Sequence, residues 1–287
     1  MPTYDTPQPI TARLRLGFVV ANVRVDAGDR TQTTVVVQPA DPENTDDRRI
    51  ADQTRTGYAD GALIVRAPRF GTLFTRTGSI DVTVEVPAGS TLDGETGMGE
   101  VRCEGRLADC QVKTGYGEIW LDQAEAVHLR SGSGDISVDH VNGAADISTG
   151  DGAISIRRID GPAMVKNSNG SSWIGEVTGE LRLQAANGSL VVDRAQADVT
   201  AKSANGDVRI GEVSRGAVTL ETAAGSIEVG IPAGTAAWLD VHTRFGRIRN
   251  ELAATTSPDD TDQTVEVRAR TAIGDILVRR SSGVPHD

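Results

Sequence analysis

Asp135, Asp207 and Asp275 each stand directly after a glycine, as does Glu118. Carboxylates repeated in this way could supply acid–base chemistry or ligate calcium, provided that they converge. Here they are spread one to a repeat, and equivalent positions elsewhere hold Ala153, Ser171, Ser189 and Ser226. Strand alternation turns them outward, so they read as solvated residues at strand starts. The calcium-binding nonapeptide combines paired glycines with an aspartate, and GSGDIS matches only fragments of it. His128, His140, His242 and His286 share no metal-ligand spacing, whereas zinc needs three or four converging ligands. Cys103 and Cys110 form no CxxC and have no histidine cluster beside them, so two buried free thiols are expected. Neither GxSxG nor a P-loop is present. The expectation is no catalytic residue, no metal, no cofactor and no enzyme.

Two aromatic side chains carry more promise. Trp120 and Trp173 each lie three residues after a repeat glycine, a position that alternation turns outward. Exposed tryptophan on a flat sheet can bind carbohydrate rings, lipids or a protein partner, or can be covered by a neighbouring segment. A second outward row, four residues before each glycine, holds Arg130, Ser148, Lys166, Gln184, Lys202, Glu221, His242 and Arg270. Arg130, Lys166 and Lys202 make it mildly basic on an acidic chain, so an anionic patch on a partner could dock there. The candidate partner-binding surface is thus Trp120, Trp173, Lys166, Lys202 and Arg130.

The elements that carry these residues are set by a repeat. Glycines at 99, 117, 134, 152, 170, 188, 206 and 225 are separated by 18, 17, 18, 18, 18, 18 and 19 residues. Two residues after them stand Ile119, Ile136, Ile154, Ser172, Leu190, Val208 and Ile227, and four after stand Leu121, Val138, Ile156, Ile174, Val192, Ile210 and Val229. A second alternating run precedes each glycine. Two short strands of period two per 18 residues cannot bury their apolar face alone, but stacked copies can. The expected fold is all-β, a single parallel β-solenoid with two strands per coil. An antiparallel sandwich or barrel is the competing architecture. The solenoid is preferred because equivalent positions match by residue type: Asn169, Asn187 and Asn205 precede three consecutive glycines, and stacked amides form a structural turn ladder.

The ends depart from the period, as terminal repeats should. Residues 1–98 read as an N-terminal β segment entering the repeats, with a short helix over about 42–54. Asp41 suits its N-cap, Pro42 its first position, and Gly57 follows its end. Residues 99–250 are the regular repeats, 251–263 an acidic loop, 264–280 a closing strand pair and 281–287 a disordered tail. Such capped, acidic ends argue against end-to-end assembly.

The chain has 287 residues, 38% hydrophobic and 24% charged, with a net charge of −11. That charge repels phosphate and anionic membranes, so neither nucleic acid nor membrane insertion is expected. The first residues, MPTYDTPQPI, lack a basic then apolar signal pattern, and no apolar run is long enough to span a bilayer. A cytoplasmic location follows, with the cell surface as the alternative.

The blocks KNSNGSSWIGEVTGE, AANGSL, AKSANGDVRIGEV, RGAVTLETAAGSIEVGI and VEVRARTAIGDILVRR resemble the bacterial β-strand-repeat family named "putative adhesin", a domain of unknown function, in its actinobacterial form. The resemblance covers nearly the whole chain. It implies a repeat fold and supplies no catalytic residues. The expected role is a non-enzymatic binding or scaffold protein whose flat repeat faces meet a protein partner or a second copy. The alternatives are an adhesin-like cell-surface or envelope-stress protein and a carbohydrate-active β-helix enzyme. The last would need clustered acids in a cleft.

Overall fold

The computed structural model describes residues 2–68, 78–253 and 263–281. Two compact units divide the chain: residues 1–142 with 147–150, and residues 143–146 with 151–287. Both are built from parallel β-solenoid coils, and the antiparallel sandwich is excluded by the parallel register of their strands.

In the first unit the strand Thr11–Gly28 runs parallel to Ala62–Arg66 and Thr91–Met98 along its first half. Its second half runs parallel to Ser79–Pro87 and Val101–Tyr116. A segment early in the chain therefore lies between segments that come much later. Regular stacking follows, from Val101–Tyr116 to Ile119–Ser133 to Ile136–Val141. Antiparallel strands flank this ladder. Gln32–Pro39 runs against Ser79–Pro87, Thr3–Asp5 against Gln32–Pro39, and Arg55–Ala59 against Ala62–Arg66.

The single helix among the described residues spans Thr45–Gln53 and packs on Gln32–Pro39 and Ser79–Pro87. Its N-cap is Asn44 rather than Asp41. Asp41 Oδ1 accepts from the Glu43 N–H (2.9 Å), and the Asn44 N–H donates to the Asp41 carbonyl (3.1 Å), so Asp41–Asn44 is spent on a turn. Asn44 Oδ1 then accepts the Asp46 N–H at 2.9 Å. Buried Asp47 ties the helix down by accepting from the N–H groups of Ser79 (2.8 Å) and Asp41 (3.1 Å).

The second unit has two ladders of like-on-like strands. Before the repeat glycines, Ala163–Asn169, Leu181–Asn187, Val199–Asn205, Gly216–Ala224, Gln263–Ile273 and Thr235–Phe245 stack in that order. After them, Ile154–Ile159, Ser172–Val177, Leu190–Ala195, Val208–Val213, Ile227–Ile231, Ile276–Arg280 and Ile248–Asn250 do the same. Chain order and stacking order part at the end. The coil 235–250 lies outside the coil 263–280, which follows it in sequence. Of the expected loop, residues 254–262 lie outside the described residues, as do 282–287 of the expected tail.

Burial explains the period. Ile154, Leu190, Val208, Ile227 and Ile276 fall in one register row and are sealed from water. Each such side chain contributes about 1.5–3 kcal/mol when fully buried. The corner needs glycine. Gly188 has φ +127°, and a Cβ there would sit 2.1 Å from the Gly170 carbonyl oxygen. Three residues before the glycine, an inward hydroxyl or amide caps a corner carbonyl. In the first unit Ser131 donates to Gly117 O and Thr149 to Gly134 O. In the second Asn167 donates to Gly152 O, Thr222 to Gly206 O and Thr271 to Gly225 O. These buried polar groups close the corner without leaving its carbonyls bare.

Candidate functional site

The second unit contains a cleft of about 660 Å3 beside Trp173. Its floor is the row five residues after each repeat glycine: Arg157, Gly175, Asp193, Gly211 and Arg279. Adjacent coils approach closely at the two glycines. A Cβ at Gly211 would lie 2.7 Å from the Asp193 carbonyl oxygen, and one at Gly175 would lie 2.5 Å from the Arg157 carbonyl oxygen. The Gly175 site also lies 3.2 Å from Trp173 Cη2, so the indole reaches over this bare backbone. Its Nε1–H donates to Asp193 Oδ2 at 3.1 Å, one coil along. Trp173 as a whole remains 36% exposed. The result is a fixed aromatic surface lining an open cleft.

The charges around it are mostly matched. Glu176 accepts from Arg158 Nη1 (2.9 Å) and Gln196 Nε2 (2.7 Å). Arg158 is held above its ordinary value by its hydrogen bond to Asp160, with Glu176 adding to the effect. Glu212 accepts from Ser281 Oγ at 2.9 Å and pairs with Arg194 at 3.6 Å. Arg279 donates to Glu228 Oε1 at 2.7 Å, leaving Arg209 a looser 3.8 Å contact with the same oxygen. The lining holds four arginines and three carboxylates, and Glu228 outside the lining is shared by Arg279 and Arg209, so Arg209 is only loosely compensated. Such a cleft suits an acidic group set beside an apolar one.

The remaining candidates fall elsewhere. Lys166 and Lys202 are exposed on the ladder before the glycines, and neither lines the cleft. Lys202 Nζ pairs with Glu221 at 2.8 Å, so this row offers less free positive charge than its composition suggests. Asn187 Nδ2 donates to Asn169 Oδ1 (2.8 Å) and Asn205 Nδ2 to Asn187 Oδ1 (3.0 Å); Asn169 Nδ2 donates on to Asp151 (2.9 Å). In the first unit Trp120 is half-buried, with the Arg102 guanidinium 4.2 Å over its ring. That cation covers the face a ligand would need. Glu104 is shifted below the usual carboxylate range by its hydrogen bond from Arg102, then by Arg24. Arg130 is exposed in the same unit.

Cys103 and Cys110 are buried free thiols on one strand, Val101–Tyr116. A hydrogen bond with Cys103, reinforced by burial, pushes the Cys110 thiol well above its ordinary range. Among the described residues no three of His, Cys, Asp and Glu gather as metal ligands. Nor is any helix among them long and apolar enough to cross a membrane.

Sequence reasoning singled out Trp173 as an outward aromatic residue but gave no sign of the cleft around it. The signal lay in the row five residues past each glycine, where Gly175 and Gly211 interrupt a charged series. It also missed the exposed apolar corners at Met98 and Tyr116 in the first unit and at Phe245 and Ile273 in the second. These occupy the same pre-glycine position as the asparagines.

Residues 13–283 match the Toastrack DUF4097 family. No curated protein matches the chain. Similar solved structures include a "putative lipid binding protein" from Parabacteroides distasonis, at 12% identity and TM-score 0.39 over 97% of this chain and 95% of that one. A "putative adhesin" from Bacteroides fragilis has 10% identity and TM-score 0.38 over 96% and 95% of the two chains.

Proposed function

The chain belongs to the Toastrack DUF4097 family, and on that premise we propose that it is a non-enzymatic binding protein whose second unit docks a protein partner in the Trp173 cleft. One observation carries the reading: the indole is fixed over Gly175 and hydrogen-bonded to Asp193, yet still lines open space. A prearranged aromatic anchor costs little entropy on binding, which is why such residues dominate interfaces. The partner presents an apolar side chain to the ring and a carboxylate toward Arg209. The cleft's own carboxylates are engaged with Arg158, Gln196, Arg194, Ser281 and the indole N–H. They act as supports for the arginines and the ring rather than as acid and base.

The test is quantitative capture from the native host with wild type, Trp173→Ala and Arg209→Glu as baits, followed by titration of the recovered partner in purified form. The expected outcome is a partner held by wild type and weakened about 30-fold or more by Trp173→Ala, as for an interface anchor. Equal capture by all three baits overturns the proposal. The proposal also takes the cytoplasm as the site of action; fractionation that recovers the protein on the cell surface overturns that part.

A further inference from the structure

The coil 235–250 ends its stack unpaired. Strand Thr235–Phe245 is bonded on one side to Gln263–Ile273, and among the described residues no strand pairs with its other side. The core is open there. Val218 and Leu220, and Val267 and Ala269, are sealed in the inner coils, whereas Leu239 and Val241 in the same rows are only half-buried. Ile248 is 46% exposed where its register partner Ile276 is 0%. Trp238, on the outer face, is 58% exposed and Phe245, at the corner before Gly246, 64%. The strand has eleven residues, no proline and no break in its register with Gln263–Ile273. Natural sheets rarely leave such an edge bare, because it templates further pairing.

We propose that this edge is a homodimer interface, in which Thr235–Phe245 pairs antiparallel with the same strand of a second copy, about a two-fold axis at Val241. A two-fold contact pairs each residue with its reflection through the axis. Core must meet core, so the axis passes through a residue and not between two, because a one-residue slip turns every side chain to the wrong face. An axis at Asp240 would set aspartate against aspartate, and one at His242 would set histidine against histidine. The Val241 axis sets Trp238 opposite Arg244 and Asp240 opposite His242. The first pair is a cation over an indole, and the second sets a carboxylate, already paired with Arg270 at 3.4 Å, opposite an imidazole that can donate a hydrogen bond to it. It also closes Val241 on Val241 and sets Ala237 against Phe245. Residues 237–245 of each copy then take part, and nine paired residues give about nine hydrogen bonds, within the usual interface range of about 10 ± 5. The chemistry of the strand is complementary to its own reversal, which is why a second copy, not a foreign strand, is the occupant. The inference uses no residue of the Trp173 cleft, so the two proposals fail separately. It reverses the expectation that the ends discourage assembly.

The test is sedimentation velocity of the full chain over a wide concentration range, with cross-linking through Val241→Cys. Wild type is expected to pass from monomer to dimer as concentration rises. Trp238→Glu and Arg244→Glu are expected to weaken the dimer by about 30-fold or more, with melting temperatures within a few degrees of wild type. Opposite β-carbons in such a pair lie about 4.5–5.5 Å apart, so Val241→Cys is expected to form a covalent dimer under mild oxidation and Ala236→Cys is not. Val241→Cys also keeps the reading independent of the more disruptive glutamate variants. Wild type that stays monomeric throughout overturns the proposal. So does a dimer indifferent to Trp238→Glu, or one cross-linked through Ala236→Cys instead of Val241→Cys.

Discussion

Replacing Gly188 by alanine places a methyl group where the stacked coils leave no room. The residue has φ +127°, and its Cβ would lie 2.1 Å from the Gly170 carbonyl oxygen, which belongs to rigid backbone. Two costs add. Holding a non-glycine residue in that conformation costs about 1–3 kcal/mol. Forcing a methyl into a filled site costs about 1–3 kcal/mol more. The centre of the combined range, about 4 kcal/mol, corresponds to about 8–16 °C in melting temperature at the slope of a 150–250-residue protein. Two controls separate the terms. Gly234 also has a left-handed φ, +79°, but nothing within 4 Å of its Cβ site, so Gly234→Ala carries only the conformational cost. Gly57 has neither obstacle, so Gly57→Ala is neutral or stabilising by about 0.4–1 kcal/mol. Melting followed by circular dichroism, with urea midpoints beside it, ranks the three. If Gly188→Ala loses no more than Gly234→Ala, the close approach of stacked corners is not what the glycine serves, and the reasoning fails.

Other perturbations follow from the same corners and core. Thr222→Val removes the hydroxyl that caps the Gly206 carbonyl at 3.0 Å and is expected to lower stability by about 1–3 kcal/mol, read from urea midpoints. Asn187→Ala cuts two links of the exposed amide ladder, to Asn169 and Asn205, and is expected to cost about 0.5–1.5 kcal/mol. A loss above about 3 kcal/mol would mean that the ladder matters more than exposed hydrogen bonds can explain. Cys110 has a folded-state thiol raised by Cys103 and burial. The folded chain therefore holds its proton more tightly than the unfolded one. That contribution is complete below the unfolded value of about 8.5 and declines as pH rises above it. Stability measured from pH 7 to 10 is expected to fall, and Cys110→Ala is expected to flatten that slope while lowering stability at pH 7. A slope unchanged by the substitution assigns the alkaline loss to other groups.

Much of the fold is readable in the sequence because a stacked coil repeats its chemistry as well as its spacing. Leu190, Val208, Ile227 and Ile276 announce a core row because successive strands set one apolar side chain against the next. The asparagines before the glycines announce a corner for the same reason. What the period hides is the order of stacking where the chain leaves it. Thr11–Gly28 lies between later segments because parallel edges of matching pattern pair regardless of their distance in sequence. The coil 235–250 ends outside 263–280 for want of any local signal that distinguishes an inner coil from an outer one. The helix start was misplaced because Asp41 and Asn44 are both good caps, and the turn that employs Asp41 shows only in three dimensions. The cleft was half legible. Trp173 stands out as an aromatic residue at an outward position, but Gly175 and Gly211 look like ordinary strand glycines until the coils are laid side by side. Trp120 looks equivalent to Trp173 in sequence, yet the neighbouring Arg102 covers it.

Parallel stacking of successive 18-residue repeats builds the cleft, and disulfide trapping across its wall tests that stacking. Val191 and Arg209 are register partners on adjacent strands, with Trp173 the partner of Val191 on its other side. Neighbouring strands lie about 4.8 Å apart, inside the Cα range of about 4.4–6.8 Å that a disulfide tolerates, and residues two strands apart lie at about 9.6 Å, outside it. Val191→Cys/Arg209→Cys is therefore expected to form an intramolecular disulfide in the native protein, and Trp173→Cys/Arg209→Cys is expected to stay reduced. A native protein in which the first pair cannot be oxidised, or the second closes readily, would contradict the stacked register and remove the cleft with it.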